Sequence, residues 1–239
     1  MDFGFTPTYS IGNKVYRDPD NDGQPDLDNL DEGGITNVHL AVFAADVNGN
    51  PTGTARAWTT TDAEGFYRFD GLAAGTYVVV VDKTNSPSLN TYVCVTETST
   101  DLNSSGDLYN HGIPLPLGAG SVLPGGIASV PVTVGPGLQP VGESTASGQG
   151  GNGPTGDSSD NLVIDFGFMP LYSIGNRVFL DKNNDGSLNG TDSGLTGVAV
   201  KLFAADGLGN PTGSVLSATN TDANGYYRFD GLSAGTYAV

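Results

Sequence analysis

Apolar residues recur at every second position in several short stretches of this chain. Val38, Leu40 and Val42 are spaced by His39, Ala41 and Phe43, and a later copy of the stretch has Val198, Val200 and Leu202. A period of two is that of a β-strand with one buried face. Tyr67 and Phe69 alternate with Phe66 and Arg68, and Leu162, Ile164, Phe166 and Phe168 share one side of residues 161–168. Residues 8–16 (TYSIGNKVY), 56–60, 76–82, 91–96 and 128–134 are further predicted strands. Turn residues separate them. Asn48-Gly49 within ADVNGNPTG (45–53) predicts a tight hairpin, and DAEG (62–65) and DGLAAG (70–75) predict more turns. No window carries a sustained apolar stripe at 3.6-residue spacing. The pattern predicts an all-β sandwich. Residues 135–160, polar and low in complexity, are expected to form a long mobile loop, because strand 161–168 must still return to the sheet.

The strand pattern is also duplicated. DFGFTPTYSIGN (2–13) returns as DFGFMPLYSIGN (165–176), and TDAEGFYRFDGLAAGTYVV (61–79) returns as TDANGYYRFDGLSAGTYAV (221–239). The spacing between copies shortens by three residues across residues 17–34, so the first copy carries a three-residue insertion there. Tandem repetition therefore organises the chain. Residues 1–7 read as the closing strand and linker of a preceding module, and 8–169 as a complete module with a long insertion at about 83–160. Residues 170–239 read as the N-terminal part of a second module, whose unfinished sheet is expected to leave an edge open. Pro7 and Pro170 should stiffen the junctions.

Composition narrows the function. A net charge of −17 argues against nucleic acid and against anionic lipid, and suits cation binding. The single cysteine, Cys94, excludes an intrachain disulfide and is expected to be a small buried apolar group. The aliphatic run Val78–Val81 is far too short to span a membrane, and no secretion signal opens the chain. Catalysis has little to work with. His39 is expected to point outward and its later counterpart is Ala199; His111 has no counterpart to compare. GQGGNG (148–153) lacks the strand and helix that a dinucleotide site needs. The chain is expected to be non-enzymatic.

The acidic stretch RDPDNDGQPDLDNLDEGG (17–34) carries the candidate chemistry. Calcium takes roughly six to eight oxygens, and in the helix-flanked calcium loop these come from positions 1, 3, 5, 7, 9 and 12, with Gly at 6 making the bend. The second copy, DKNNDGSLNGTD, fits that grid with Asp181, Asn183, Asp185, Gly186, Ser187 (through its carbonyl), Asn189 and Asp192. The first copy fits with Asp18, Asp20, Asp22, Gly23, Gln24 and Asp26. Aligning the strands that follow puts Glu32 opposite Asp192 as the closing ligand, with Asp31 as competitor. Strands follow both loops, so neither belongs to a helix-pair sensor. Asp62 and Asp222, in the repeated D-A-x-G turns, read as turn-stabilising residues, and Asp101, Asn103 and Asp107 as a weaker secondary cluster.

YSIGNKVY, an Asp/Asn-rich loop, GGITNVHLAVF, TDAEGFYRFDGLAAGTYVV and a closing VIDFGF follow in that order. This succession resembles the B domain of the serine–aspartate repeat surface adhesins, a relative of the collagen-adhesin B-type modules. The resemblance implies a transthyretin-like or immunoglobulin-like sandwich that binds Ca²⁺ and stands in series on a bacterial surface. It assigns the ligands to Asp18, Asp20, Asp22, Gln24, Asp26 and Glu32, and to Asp181, Asn183, Asp185, Ser187, Asn189 and Asp192. Related modules carry a Lys–Asn isopeptide bond. Lys14 sits at the corresponding place, but its counterpart Arg177 cannot form one, and a surface lysine is expected.

The expected role is mechanical: a calcium-stabilised structural module of an extracellular stalk or fibre. Its partners would be copies of the same module, in series or head-to-tail. The alternatives are a ligand-binding adhesin module that uses the 83–160 insertion against a host, matrix or cell-surface ligand, and an accessory module of a secreted hydrolase.

Overall fold

The computed structural model describes residues 4–24, 32–95, 110–116, 122–141 and 157–239. The chain divides into two compact units, Met1–Pro170 and Leu171–Val239. The described strands of the first unit are β1 (Tyr9–Arg17), β2 (His39–Ala45), β3 (Pro51–Thr60), β4 (Phe66–Leu72), β5 (Gly75–Val81), β6 (Tyr92–Cys94), β7 (Ile113–Pro114), β8 (Ile127–Ala128), β9 (Val132–Val134), β10 (Asp160–Asn161) and β11 (Phe166–Pro170). One sheet runs β10-β1-β11-β6 with β4 on β1, and the other β3-β2-β5-β8-β7 with β9 on β5.

The two sheets share one core. Ile11 and Val15 of β1, Phe69 of β4 and Phe166 and Phe168 of β11 meet Leu40 and Val42 of β2 and Val79 and Val81 of β5. This is the predicted all-β sandwich. β1 lies inside its sheet, antiparallel to β4 and parallel to β10 and β11, which is why nearly all of YSIGNKVYR is buried. The closing stretch is not one continuous strand: β10 and β11 pair with different parts of β1, with Leu162, Val163 and Ile164 buried between them.

The expectation of a single buried face on β2 is corrected. His39 is exposed as expected, but Ala41 and Phe43 are as deeply buried as Leu40 and Val42. Ala41, Phe43, Val78, Val80 and Ala128 form a second apolar cluster, with Leu115, Val122 and Leu123 packed over it. A run buried on both faces reads as near-continuous apolar sequence, as Val78–Val81 does. The insertion supplies the cover, since Leu115, Val122 and Leu123 come from it, and it also adds β7, β8 and β9 to the same sheet. Other boundaries differ too. The strand predicted at 56–60 extends over Pro51–Thr60, that predicted at 128–134 is split into β8 and β9, and residues 157–160 of the expected loop form a 3-10 turn and the start of β10. GQGGNG and the cluster Asp101, Asn103, Asp107 lie outside the described residues.

The second unit comprises β12 (Tyr172–Arg177), β13 (Phe179–Leu180), β14 (Ser193–Gly194), β15 (Ala199–Ala205), β16 (Pro211–Asn220), β17 (Tyr226–Leu232) and β18 (Tyr237–Ala238). It repeats the register of the first. Ile174 pairs with Phe229 as Ile11 pairs with Phe69, and Ala204 with Thr212 as Ala44 with Thr52. The predicted turns recur too. Asp62 Oδ1 accepts N–H bonds from Glu64 (3.0 Å) and Phe66 (2.8 Å), and Asp222 Oδ1 from Asn224 (2.8 Å) and Tyr226 (2.9 Å). Both carboxylates therefore hold turns.

Candidate metal centre

The acidic loop leaves β1 at Arg17, and Asp18 is drawn straight back into the fold: its N–H donates to Phe168 O of β11 at 2.9 Å. The residue is fully buried. Its carboxylate organises the loop by accepting three backbone donors. Oδ1 takes the N–H groups of Asn21 (2.6 Å) and Asp22 (3.2 Å), and Oδ2 that of Gly23 (2.7 Å). Asn21 and Gly23 bend the chain with positive φ, 63° and 82°. Asp20 Oδ1 accepts Asp22 N–H at 3.4 Å, and Asp22 Oδ1 accepts Gln24 N–H at 2.8 Å.

Carboxylate oxygens of Asp18, Asp20 and Asp22 all lie within 4.8 Å of one another. Asp18 is buried while Asp20 and Asp22 are exposed. Three like charges at that separation repel, and the strain falls on the buried member. Loss of hydration drives the Asp18 carboxyl up to about 6, against the downward pull of its N–H donors. Below the loop, the Tyr16 hydroxyl donates to Gly23 O at 2.6 Å. Burial holds that phenol well above its ordinary range, with the charges of Asp165, Asp18 and Asp22 adding to the effect.

Glu32 is buried at the other end of the loop but is not part of the close trio. Its placement follows from strand pairing. Tyr16 bridges Gly34 in the first unit, and Phe179 pairs with Gly194 in the second. The three extra residues are thus absorbed before Gly34, and Glu32 stands where Asp192 stands. Asp26 and Asp31 lie outside the described residues.

The second loop has the same skeleton with fewer charges. Asp181 Oδ2 accepts Gly186 N–H at 2.8 Å, and Asp181 Oδ1 accepts Asp185 N–H at 3.3 Å. Asp185 Oδ2 receives the side-chain amides of Asn183 (2.8 Å) and Asn189 (2.7 Å), and its Oδ1 receives Ser187 N–H (2.8 Å). Asp192 closes the loop by accepting the N–H groups of Lys182 (3.0 Å) and Asn189 (3.1 Å). Hydrogen bonds hold the exposed Asp181 and Asp185 carboxyls below their usual range, Asp181 chiefly through Gly186 N–H and Asp185 chiefly through the Asn189 amide. Asn at two of the acidic positions has replaced repulsion by donation.

Other sequence expectations fall into place around the site. Cys94 is buried, its thiol pushed up to about 12 by burial. Lys14 Nζ lies over the Phe66 ring, 5.2 Å from its centre, and Arg177 lies over Tyr226 at 5.0 Å. Sequence reasoning missed Tyr16 and Asn110. Asn110 N–H donates to Gly23 O at 2.8 Å, and its side chain bonds Gly112 and Gly167 N–H. Only the contrast of Tyr16 with Phe179 between the copies could have signalled the first of these; nothing in the sequence marks the second.

The family model of the SdrD B-like domain matches residues 9–112 and 172–239. The chain is 32% identical, over 100% of its length, to serine-aspartate repeat-containing protein F of Staphylococcus epidermidis, of which it covers 10%. It is 31% identical over 99% of its length to protein I of Staphylococcus saprophyticus, covering 10% of it. Identity to protein E of Staphylococcus aureus is 30% over 100% of the chain and 16% of that relative. The chain thus spans at most about a sixth of the length of these curated relatives. Among solved structures, a streptococcal ancillary pilin aligns at 14% identity and a TM-score of 0.37, over 98% of this chain and 53% of that one. The minor pilin of Streptococcus agalactiae aligns at 14% identity and a TM-score of 0.34, over 97% and 81%. The serine–aspartate repeat relatives are bacterial surface proteins, in keeping with the extracellular location expected from sequence. With one matched region in each of its two units, the chain belongs to the SdrD B-like domain family.

Proposed function

We propose that this chain is a calcium-stabilised structural segment of an extracellular stalk or fibre. The single observation that carries the reading is the trio Asp18, Asp20 and Asp22, with one carboxylate buried and all three within 4.8 Å. A fold gains nothing from that repulsion unless a cation offsets it. Ca²⁺ suits an all-oxygen set better than Mg²⁺, which keeps more of its water. Asp18, Asp20, Asp22, Gln24, Asp26 and Glu32 are the proposed ligands of the first loop. Those of the second are Asp181, Asn183, Asp185, Ser187, Asn189 and Asp192. When bound, the ion supplies the positive charge that lets the loop close. The chain's own residues aim the oxygens, and Asp18 fixes the loop to β11.

Residues 1–7 are proposed as the closing strand of a preceding module, 8–169 as one module and 170–239 as the start of the next. Partners would be neighbouring copies in series or head-to-tail. The test is thermal unfolding with calcium and with chelator, on the parent chain and on Asp18→Asn/Asp20→Asn/Asp22→Asn. Calcium near 100 times its Kd should raise stability by about 2.7 kcal/mol per site, several degrees in Tm. The triple variant should lose the first loop's share of that shift. Superimposable melts of the parent with and without calcium would end the proposal.

A further inference from the structure

Tyr16 is where the acidic loop meets the closing strand. It is fully buried, and its backbone pairs with Gly167. Its hydroxyl and Asn110 N–H both donate to Gly23 O, at 2.6 Å and 2.8 Å. Gly23 N–H donates in turn to Asp18 Oδ2 at 2.7 Å. One glycine is thus held on both sides, by a proposed ligand through its N–H and by the core through its carbonyl. Asn110 continues the connection: its Oδ1 accepts Gly167 N–H at 3.0 Å. A methyl group on Gly167 would stand 2.9 Å from the Tyr16 hydroxyl, so this glycine of DFGF leaves the room the phenol needs.

The second loop lacks this anchor. Gly186 N–H donates to Asp181 Oδ2 as in the first copy, but residue 179, the counterpart of Tyr16, is Phe and has no hydroxyl to offer the Gly186 carbonyl.

Resting on the reading that the loop takes a divalent cation, we infer that Tyr16 is a positioning residue for the first site: its hydroxyl sets Asp18 before the ion arrives and couples occupancy to the docking of residues 110–112 on β11. A loop already held in its bound shape loses less freedom on binding, so the anchor raises affinity. Linkage makes the coupling reciprocal, so the ion should in turn tighten the 110–112 contact.

The experiment uses the full chain with Asp181→Asn and Asp185→Asn, so that the first loop dominates the signal, with and without Tyr16→Phe. Calcium is titrated by calorimetry, and hydrogen exchange of the Asn110 amide is followed with and without the ion. Tyr16→Phe is expected to weaken calcium binding by roughly five- to tenfold, the worth of one buried hydrogen bond. It should also reduce the calcium-dependent protection of the Asn110 amide. Unchanged affinity and unchanged calcium-dependent protection, alongside a lowered Tm, would make Tyr16 a core residue only and overturn the inference while leaving the calcium reading intact. No calcium binding by the Tyr16 parent, nor by the chain with both loops intact, would overturn both.

Discussion

Asp18 is held by three backbone donors yet deprived of water, and the second effect wins: its carboxyl rises to about 6 from an ordinary 3.8. A carboxyl whose folded pKa exceeds its unfolded one binds a proton more tightly in the folded chain. Its stabilising contribution is therefore complete below about 3.8 and is lost as pH rises through about 6. Asp46, Asp181, Asp185 and Asp206 are shifted down, so any stability they add is lost only below their ordinary range. In chelator, the Tm should rise as pH falls from 7 to 5, and Asp18→Asn should flatten that rise. In calcium the slope should reverse, because proton and ion compete for the same oxygens. A chelated melt that only falls between pH 7 and 5, in parent and variant alike, would show that Asp18 is not the strained group. The spacing of Asp, Asn and Gly picked out Asp18 as the loop's first position. Its burial was not legible, because Phe168, whose carbonyl accepts its N–H, lies 150 positions away in the chain.

Among the strands, the glycines of the repeated motifs have a packing cause. A methyl group on Gly34 would collide with the Glu64 carbonyl, and one on Gly65, at φ 84°, with the Val15 carbonyl. Gly194 and Gly225 meet the Asn224 and Val178 carbonyls in the same way. The D-A-x-G turn thus crosses directly over the residue that ends the acidic loop. Gly34→Ala should cost about 3 kcal/mol, since backbone rather than a flexible side chain must move; the urea midpoint checks it. An unchanged midpoint would mean the crossing is loose. The period-two alternation located β2 and β4, and the Asn-Gly pair placed the turn between β2 and β3. The extent of β3 was missed because Thr52, Gly53 and Thr54 offer no apolar alternation: all three are exposed on the pleat.

On the scale of the whole molecule, the insertion turns out to be part of the sandwich. β7, β8 and β9 extend the β2–β5 sheet, and Leu115, Val122 and Leu123 close its outer face. Phe43→Ala should therefore cost about 3–5 kcal/mol in denaturant unfolding, the price of a core aromatic. A loss under about 1 kcal/mol would mean the outer face is open to water. The strand predicted over 128–134 marked β9 and the end of β8, but β7 and the covering Leu115, Val122 and Leu123 were not legible, since they pack on strands far away in the chain. The sequence did reveal the tandem plan, because each copy repeats the same spacing of glycines, acids and aromatics.

On the proposed function, a divalent cation neutralises the Asp18, Asp20 and Asp22 trio and locks the loop to the closing strand. The most direct measurement is an anomalous difference map from crystals of this chain grown in calcium. A peak is expected between those three carboxylates, with oxygen distances of about 2.3–2.6 Å. Well-ordered loops with no peak there, at calcium in large excess, would contradict the proposal.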